Sequence, residues 1–126
     1  MADEVKKVLL VDDDPMVLAV VASWLENAGY EVLTHDRGLG TIQLLLDHKP
    51  QALLIDVNMP LLSGNKLAEM IRGKIDDVTV ILHSSNNSAS LQQLVLQTNA
   101  VGAIQKTGDE NTFMTQFQGL LTGRRG

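Results

Sequence analysis

Short runs of apolar, often β-branched residues alternate along the chain with longer stretches in which apolar residues recur every three or four positions. The short runs are typical of strands covered on both faces, and the longer stretches are typical of helices with one apolar face. This alternation predicts βα units around a parallel sheet. Five strands are predicted, at Val5–Val11, Glu31–Thr34, Ala52–Ile55, Thr79–His83 and Val101–Gln105.

Five helices are predicted between and after these strands. In the first, apolar residues from Val17 to Ala28 repeat at helical spacing, and Gly29 follows as a stop signal. Asp14 before Pro15 is typical of a helix start, with Asp14 as the N-cap. The other helices are predicted at Leu39–Leu46, Leu67–Ile71, Leu91–Thr98 and Phe113–Leu121. One α/β domain over residues 1–126 is therefore expected, with residues 122–126 as a frayed end or the start of a linker.

Composition narrows the possible functions. The 126 residues suit one domain, and the 44% hydrophobic and 20% charged residues are typical of globular proteins. A net charge of −5 argues against nucleic-acid binding by this domain, because such affinity comes mainly from Lys and Arg. The absence of cysteine excludes disulfides and thiolate metal sites. The first apolar run, Val8–Val11, is too short for a signal peptide or a membrane span, so a cytoplasmic protein without membrane contact is expected.

Polar residues stand where the predicted strands end, the edge at which open α/β sheets bind ligands. Asp12 and Asp13 follow the first strand, and Asp56 follows the third. Ser84 and Lys106 follow the fourth and the fifth. Taken singly, each has an ordinary alternative as a solvated or turn-capping side chain. Together they offer the carboxylates, the hydroxyl and the ammonium that Mg²⁺-assisted phosphoryl transfer to a carboxylate requires.

Four segments, in order along the chain, resemble the motifs of the receiver domain of two-component response regulators. Leu9–Asp14 resembles the family's acidic pocket, and Asp56–Pro60 with Gly64 resembles its phosphoacceptor motif. Val80–Ser84 resembles the strand that delivers a hydroxyl, and Asn99–Lys106 resembles the final motif. The resemblance extends from Val5 to about Leu121. Each motif alone is weak, but their order on five βα units is specific.

The resemblance implies a flavodoxin-like, doubly wound, five-stranded parallel sheet with strand order 2-1-3-4-5 and five helices. It implies a phosphoacceptor that takes its phosphoryl group from a histidine kinase or a phosphotransfer protein and turns over no external substrate. Its downstream partner would be a protein target or an output domain outside this sequence. The residues assigned to the reaction are Asp56, Ser84 and Lys106, and those assigned to Mg²⁺ are Asp12, Asp13, Asp56 and Asn58, the last through its carbonyl.

Three positions depart from the family pattern. Thr107 follows Lys106 where the family usually has proline, so a trans bond is expected, because a cis bond costs about 2.5–4 kcal/mol before residues other than proline. Ala103 stands where the family has a switching aromatic residue. Ser85, followed by Asn86, replaces the usual small residue after the hydroxyl position. These changes leave open a degenerate receiver that binds a partner constitutively.

Other kinds of site fit the residues less well. Packing or surface roles are expected for His35, His48 and His83. An aspartate-nucleophile phosphatase of the haloacid dehalogenase type carries a second acid two residues after the nucleophile, where this chain has Asn58. A flavin carrier of the flavodoxin type would hold a cofactor phosphate beside three aspartates, which repel it unless a cation intervenes.

Overall fold

A single five-stranded parallel sheet organises the chain. The computed structural model describes residues 6–58, 71, 77–85, 92–96 and 100–123. The strands are β1 (Lys7–Val11), β2 (Glu31–His35), β3 (Ala52–Asp56), β4 (Thr79–Ser84) and β5 (Gly102–Gln105). Their order is β2-β1-β3-β4-β5, and every neighbouring pair is parallel. The predicted fold class and strand order are confirmed, and the order reverses between β1 and β3, where such sheets bind ligands.

Helices cover both faces of this sheet. Those with defined bounds are α1 (Pro15–Asn27), α2 (Thr41–His48) and the C-terminal helix (Glu110–Gly123). Ile71 and residues 92–96 are also helical, and the rest of the two helices predicted there lies outside the described residues. No helix among the described residues is long and apolar enough to cross a membrane.

Two helix boundaries show how local chemistry places the elements. Asp14 caps α1 as predicted, because its side chain accepts the Met16 N–H at 2.9 Å. Gly29 ends α1 at φ +100°, a conformation that favours glycine. The helix α2 begins at Thr41 rather than at the predicted Leu39, because Gly40 has φ +91°, a left-handed conformation that a right-handed helix does not include.

The core has two parts, one on each face of the sheet. Alternate residues of β1 divide between them: Leu9 and Val11 face α2, whereas Val8 and Leu10 face α1 and the C-terminal helix. The second part contains the fully buried Phe113 of the C-terminal helix. The sheet is therefore held firmly between two packed layers, and its carboxyl edge presents the polar residues.

Candidate functional site

Three carboxylates meet at the carboxyl edge of the sheet, where β1 and β3 are neighbours. Asp12 follows β1, Asp13 lies in the loop to α1, and Asp56 ends β3. One carboxylate oxygen from each lies within 4.8 Å of the other two. Asp12 and Asp56 are buried, whereas Asp13 is exposed. The structure thus brings together the three acids that the strand ends predicted.

Backbone groups hold the two buried carboxylates in place. Asp12 Oδ1 accepts a hydrogen bond from the Asp14 N–H at 2.9 Å, and Asp56 Oδ1 accepts one from the Asn58 N–H at 3.1 Å. The Asp12 N–H in turn donates to the His35 carbonyl at 3.1 Å. Each carboxylate therefore uses its Oδ1 to accept the backbone N–H two residues later, and its Oδ2 remains for other partners.

The Lys106 ammonium is the cation of the site. Its Nζ lies 2.9 Å from Asp12 Oδ2 and 3.5 Å from Asp56 Oδ2, and its side chain is 23% exposed. Burial lowers the pKa of Lys106, but its ion pair with Asp12 and the charge of Asp56 outweigh this effect, so the net pKa is raised. Lys106 is thus a paired cation in the site rather than a solvated surface lysine.

The charge balance of the cluster is negative. Burial raises the pKa of the Asp56 carboxyl, the charges of Asp12 and Asp13 act in the same direction, and the Asn58 N–H and Lys106 oppose them. Among the described residues, the three carboxylates, when ionised, exceed the Lys106 ammonium by two negative charges. Such a cluster favours a divalent cation with oxygen ligands.

Ser84 and Asn58 complete the site at the ends of β4 and β3. Ser84 ends β4 and is fully buried. Its Oγ accepts a hydrogen bond from Asn58 Nδ2 at 3.2 Å. The sequence indicated Asn58 only through its carbonyl. No spacing signal points to this side-chain bond, because its partners are 26 residues apart.

The loop after β5 shows the first departure from the family pattern. The Lys106–Thr107 peptide bond is trans, as predicted. Thr107 Oγ1 accepts the Asp109 N–H at 3.3 Å, and Asp109 Oδ2 accepts the Thr112 N–H at 2.8 Å at the start of the C-terminal helix. Side-chain hydrogen bonds therefore shape this loop.

Ala103 leaves space beside β5. It is half-buried against the core on the α2 side of the sheet. A cavity of about 480 Å³ opens next to it, lined also by Val95, Leu96 and Gln116. Ser85 is exposed, whereas Asn86 lies outside the described residues.

None of the three histidine rings takes part in the hydrogen bonds described above for the carboxylates. The backbone carbonyl of His35 does contact this region, where it accepts the Asp12 N–H. The His35 ring Nε2 lies 2.6 Å from the Leu39 carbonyl oxygen, and His48 is exposed at the end of α2. His83 is buried in β4, and its Nδ1 has no hydrogen-bond partner. The surface and packing locations expected for these residues are confirmed.

Comparisons with known proteins agree with this geometry. Residues 8–118 match the model of a family described as the response regulator receiver domain. The transcriptional regulatory protein PrrA of Mycobacterium tuberculosis is 35% identical over 82 residues, or 65% of this chain and 35% of PrrA. The response regulator MprA of the same species is 29% identical over 116 residues, or 91% of this chain and 50% of MprA. This chain therefore spans half or less of these two relatives.

A solved structure extends the likeness to three dimensions. The BeF3-activated N-terminal receiver domain of Klebsiella pneumoniae RstA is 26% identical and superposes with a TM-score of 0.83. The superposition covers 92% of this chain and 98% of that domain. The likeness thus extends over nearly the whole of both chains.

Proposed function

Because this chain belongs to the response regulator receiver domain family, whose members are phosphoacceptors in two-component signalling, we propose that Asp56 is its phosphorylated residue. The supporting observation is the position of Asp56. It ends β3 beside two further carboxylates, and its Oδ2 lies 3.5 Å from the Lys106 ammonium. Family membership also favours this function over the phosphatase and flavin-carrier interpretations.

The proposed reaction transfers one phosphoryl group. A carboxylate oxygen of Asp56 attacks phosphorus and forms the new O–P bond, while the bond from phosphorus to the donor breaks and its electrons leave with the donor. The donor is a phosphohistidine or a small acyl phosphate. The ionised carboxylate needs no general base. The signal ends when water attacks phosphorus, which restores the Asp56 carboxylate and releases inorganic phosphate. The domain promotes both steps on itself and turns over no other substrate.

Asp12, Asp13, Asp56 and the carbonyl of Asn58 would hold Mg²⁺. Around Mg²⁺ at 2.0–2.1 Å, neighbouring ligand oxygens lie about 3 Å apart and opposite ones about 4.2 Å apart. The three carboxylate oxygens lie within 4.8 Å of one another, so adjustment of the side chains would bring them to one ion. When bound, the ion compensates the charge of the phosphoryl oxygens. The donor set therefore fits this metal.

Lys106 and Ser84 would contact the phosphoryl group. The Lys106 ammonium already lies between Asp12 and Asp56, so a small movement directs it to a phosphoryl oxygen. The Ser84 hydroxyl can donate one hydrogen bond to another oxygen. Both contacts would stabilise charge where it increases during transfer.

The partners follow from the family. We propose a histidine kinase or a phosphotransfer protein as the phosphoryl donor, in the cytoplasm. The receiver of the signal is a protein target or an output domain outside this sequence; the relative PrrA is named a transcriptional regulatory protein. The net charge of −5 supports a signal passed by protein contact rather than by nucleic-acid binding of this domain.

The direct test is incubation of the protein with Mg²⁺ and acetyl phosphate, followed by intact-mass measurement. The wild type should gain one phosphoryl group, and Asp56→Asn should gain none. Asp47→Asn is the matched control, because Asp47 is an exposed aspartate on α2 and should leave phosphorylation unchanged. A wild type without the added mass would favour the degenerate receiver, and an Asp56→Asn variant that still gains it would identify a different acceptor.

The metal assignment has its own test. Asp13→Asn should weaken Mg²⁺ binding in a titration and leave the fold intact, because removal of one carboxylate reduces like-charge repulsion in the metal-free cluster. Unchanged Mg²⁺ affinity in this variant, or a titration that perturbs neither the end of β1 nor that of β3, would contradict the site.

A further inference from the structure

Asn58 connects the two parts of the site that must act together. Its backbone N–H donates to Asp56 Oδ1 at 3.1 Å, and its side-chain Nδ2 donates to Ser84 Oγ at 3.2 Å. The first bond holds the proposed nucleophile at the end of β3. The second reaches the last residue of β4. One residue thus joins the carboxylate to the hydroxyl.

The direction of the second bond determines what the hydroxyl can do. A serine hydroxyl has one proton to donate and can also accept hydrogen bonds. Because Ser84 Oγ is the acceptor in its bond with Asn58, that bond does not use the hydroxyl proton. A phosphoryl group on Asp56 has only acceptor oxygens, so that proton is the one it needs. The Asn58 amide therefore fixes the hydroxyl without competing for its proton.

We propose that the Asn58 side chain is a positioning residue that orients the Ser84 hydroxyl toward the phosphoryl group on Asp56. This inference rests on the proposed function. It assigns to the side chain a role separate from the carbonyl of Asn58, which would bind Mg²⁺, and from its N–H, which contacts Asp56. Asn58→Ala keeps both backbone groups and removes only the amide.

The first experiment is a double-mutant cycle on phosphorylation by acetyl phosphate, followed by intact mass over time. Asn58→Ala should slow phosphorylation about three- to tenfold, the range expected for the loss of one neutral hydrogen bond. In a Ser84→Ala background, Asn58→Ala should change the rate less than about twofold, because the acceptor is already gone. Asn58→Gln keeps a donor and should recover part of the rate. Gln43→Ala, which removes an exposed amide bonded to Asp47 on α2, is the control and should match wild type.

The outcomes of the cycle separate the alternatives. An equal effect of Asn58→Ala in both backgrounds, or none in either, would overturn the positioning role while phosphorylation of Asp56 stands. A wild type that gains no phosphoryl group would mean that the proposed function itself fails, and the role in the reaction fails with it.

A second measurement tests the contact without phosphorylation. In ¹⁵N–¹H NMR spectra of the metal-free protein, Ser84→Ala should shift the Asn58 side-chain amide signals, and Gln43→Ala should leave them in place. On addition of beryllofluoride with Mg²⁺, the Asn58 signals should respond in wild type more strongly than in Ser84→Ala. Signals that ignore the Ser84 substitution would overturn the inference.

Discussion

His83 should make the protein less stable in mild acid, and His83→Leu should remove that loss. The ring is buried in β4, and its centroid lies 5.8 Å from that of Phe113. Burial, with a smaller effect from the Lys106 charge, lowers the pKa of His83 from 6.5 to about 3. The unfolded chain takes up this proton as the pH falls below 6.5, whereas the folded protein does so only near 3. The free energy of unfolding is therefore little affected by His83 above pH 6.5, and it falls as the pH drops from 6.5 toward 3.

The size of the effect follows from this difference in proton uptake. Each pH unit between the two pKa values lowers the free energy of unfolding by about 1.4 kcal/mol. Acidification from pH 6.5 to pH 5 should thus cost the wild type about 2 kcal/mol through His83 alone. At neutral pH, His83→Leu should stabilise the protein by roughly 1 kcal/mol, because His83 Nδ1 is buried without a partner.

The assay is urea unfolding followed by circular dichroism at pH 7 and pH 5, in buffer with a chelator. Asp56 lies beside His83 across β3 and β4, and its raised pKa acts with the opposite sign. For this reason the quantity to compare is the difference between His83→Leu and wild type at each pH, in which Asp56 largely cancels. His48→Gln, an exposed histidine of α2, is the control. If His83→Leu and wild type lose the same free energy between the two pH values, His83 is not the group that takes up the proton.

Three further predictions concern backbone strain, close packing and the signalling response. Lys49 has φ +51°, so Lys49→Gly should raise the free energy of unfolding by about 0.5–1 kcal/mol in a denaturant titration, and Lys49→Ala, which keeps the strain, should not. A Cβ at Gly102 would collide with a δ carbon of Leu120, so Gly102→Ala should destabilise by about 1 kcal/mol, and by less in a Leu120→Ala background. Beryllofluoride with Mg²⁺ should alter hydrogen exchange mainly in residues 85–90, which lie largely outside the described residues, with little change around Ala103; changes confined to residues 101–104 and the C-terminal helix would contradict this.

The strands could be predicted from the sequence because the central ones are apolar on both faces. In β3 all five residues are buried, and four of the five in β1 are. The pattern missed the last residue of three strands, namely His35, Asp56 and Ser84. Each is polar, yet each continues the parallel pairing of its strand with a neighbour. Backbone pairing does not depend on side-chain polarity, so a hydrophobic pattern ends too early where a strand ends in a polar residue.

The site could be predicted as a group of residues but not as a set of contacts. Topology alone brings the ends of β1 and β3 together, which is why the meeting of the carboxylates was predictable. The preference of Lys106 Nζ for Asp12, at 2.9 Å, over Asp56, at 3.5 Å, depends on the path of a long side chain. The Asn58–Ser84 bond depends equally on rotamers. Sequence spacing carries no information on either.

The distribution of aromatic rings limits how a signal can leave the site. All four Phe, Trp and Tyr residues of the chain belong to one cluster on the face of α1 and the C-terminal helix, with neighbouring ring centroids 5.5–5.7 Å apart. Ala103 lies on the opposite face, where a methyl group has no rotamer to change. A ring rotation at position 103 is therefore excluded as the switch. A displacement at the end of β4 can be passed along the chain from Ser84 into residues 85–90, and a second route leads to the C-terminal helix through the contact of the His83 and Phe113 rings. The second route passes through a fully buried, close-packed ring, where movement is costly. The response is therefore expected in residues 85–90 rather than in the C-terminal helix.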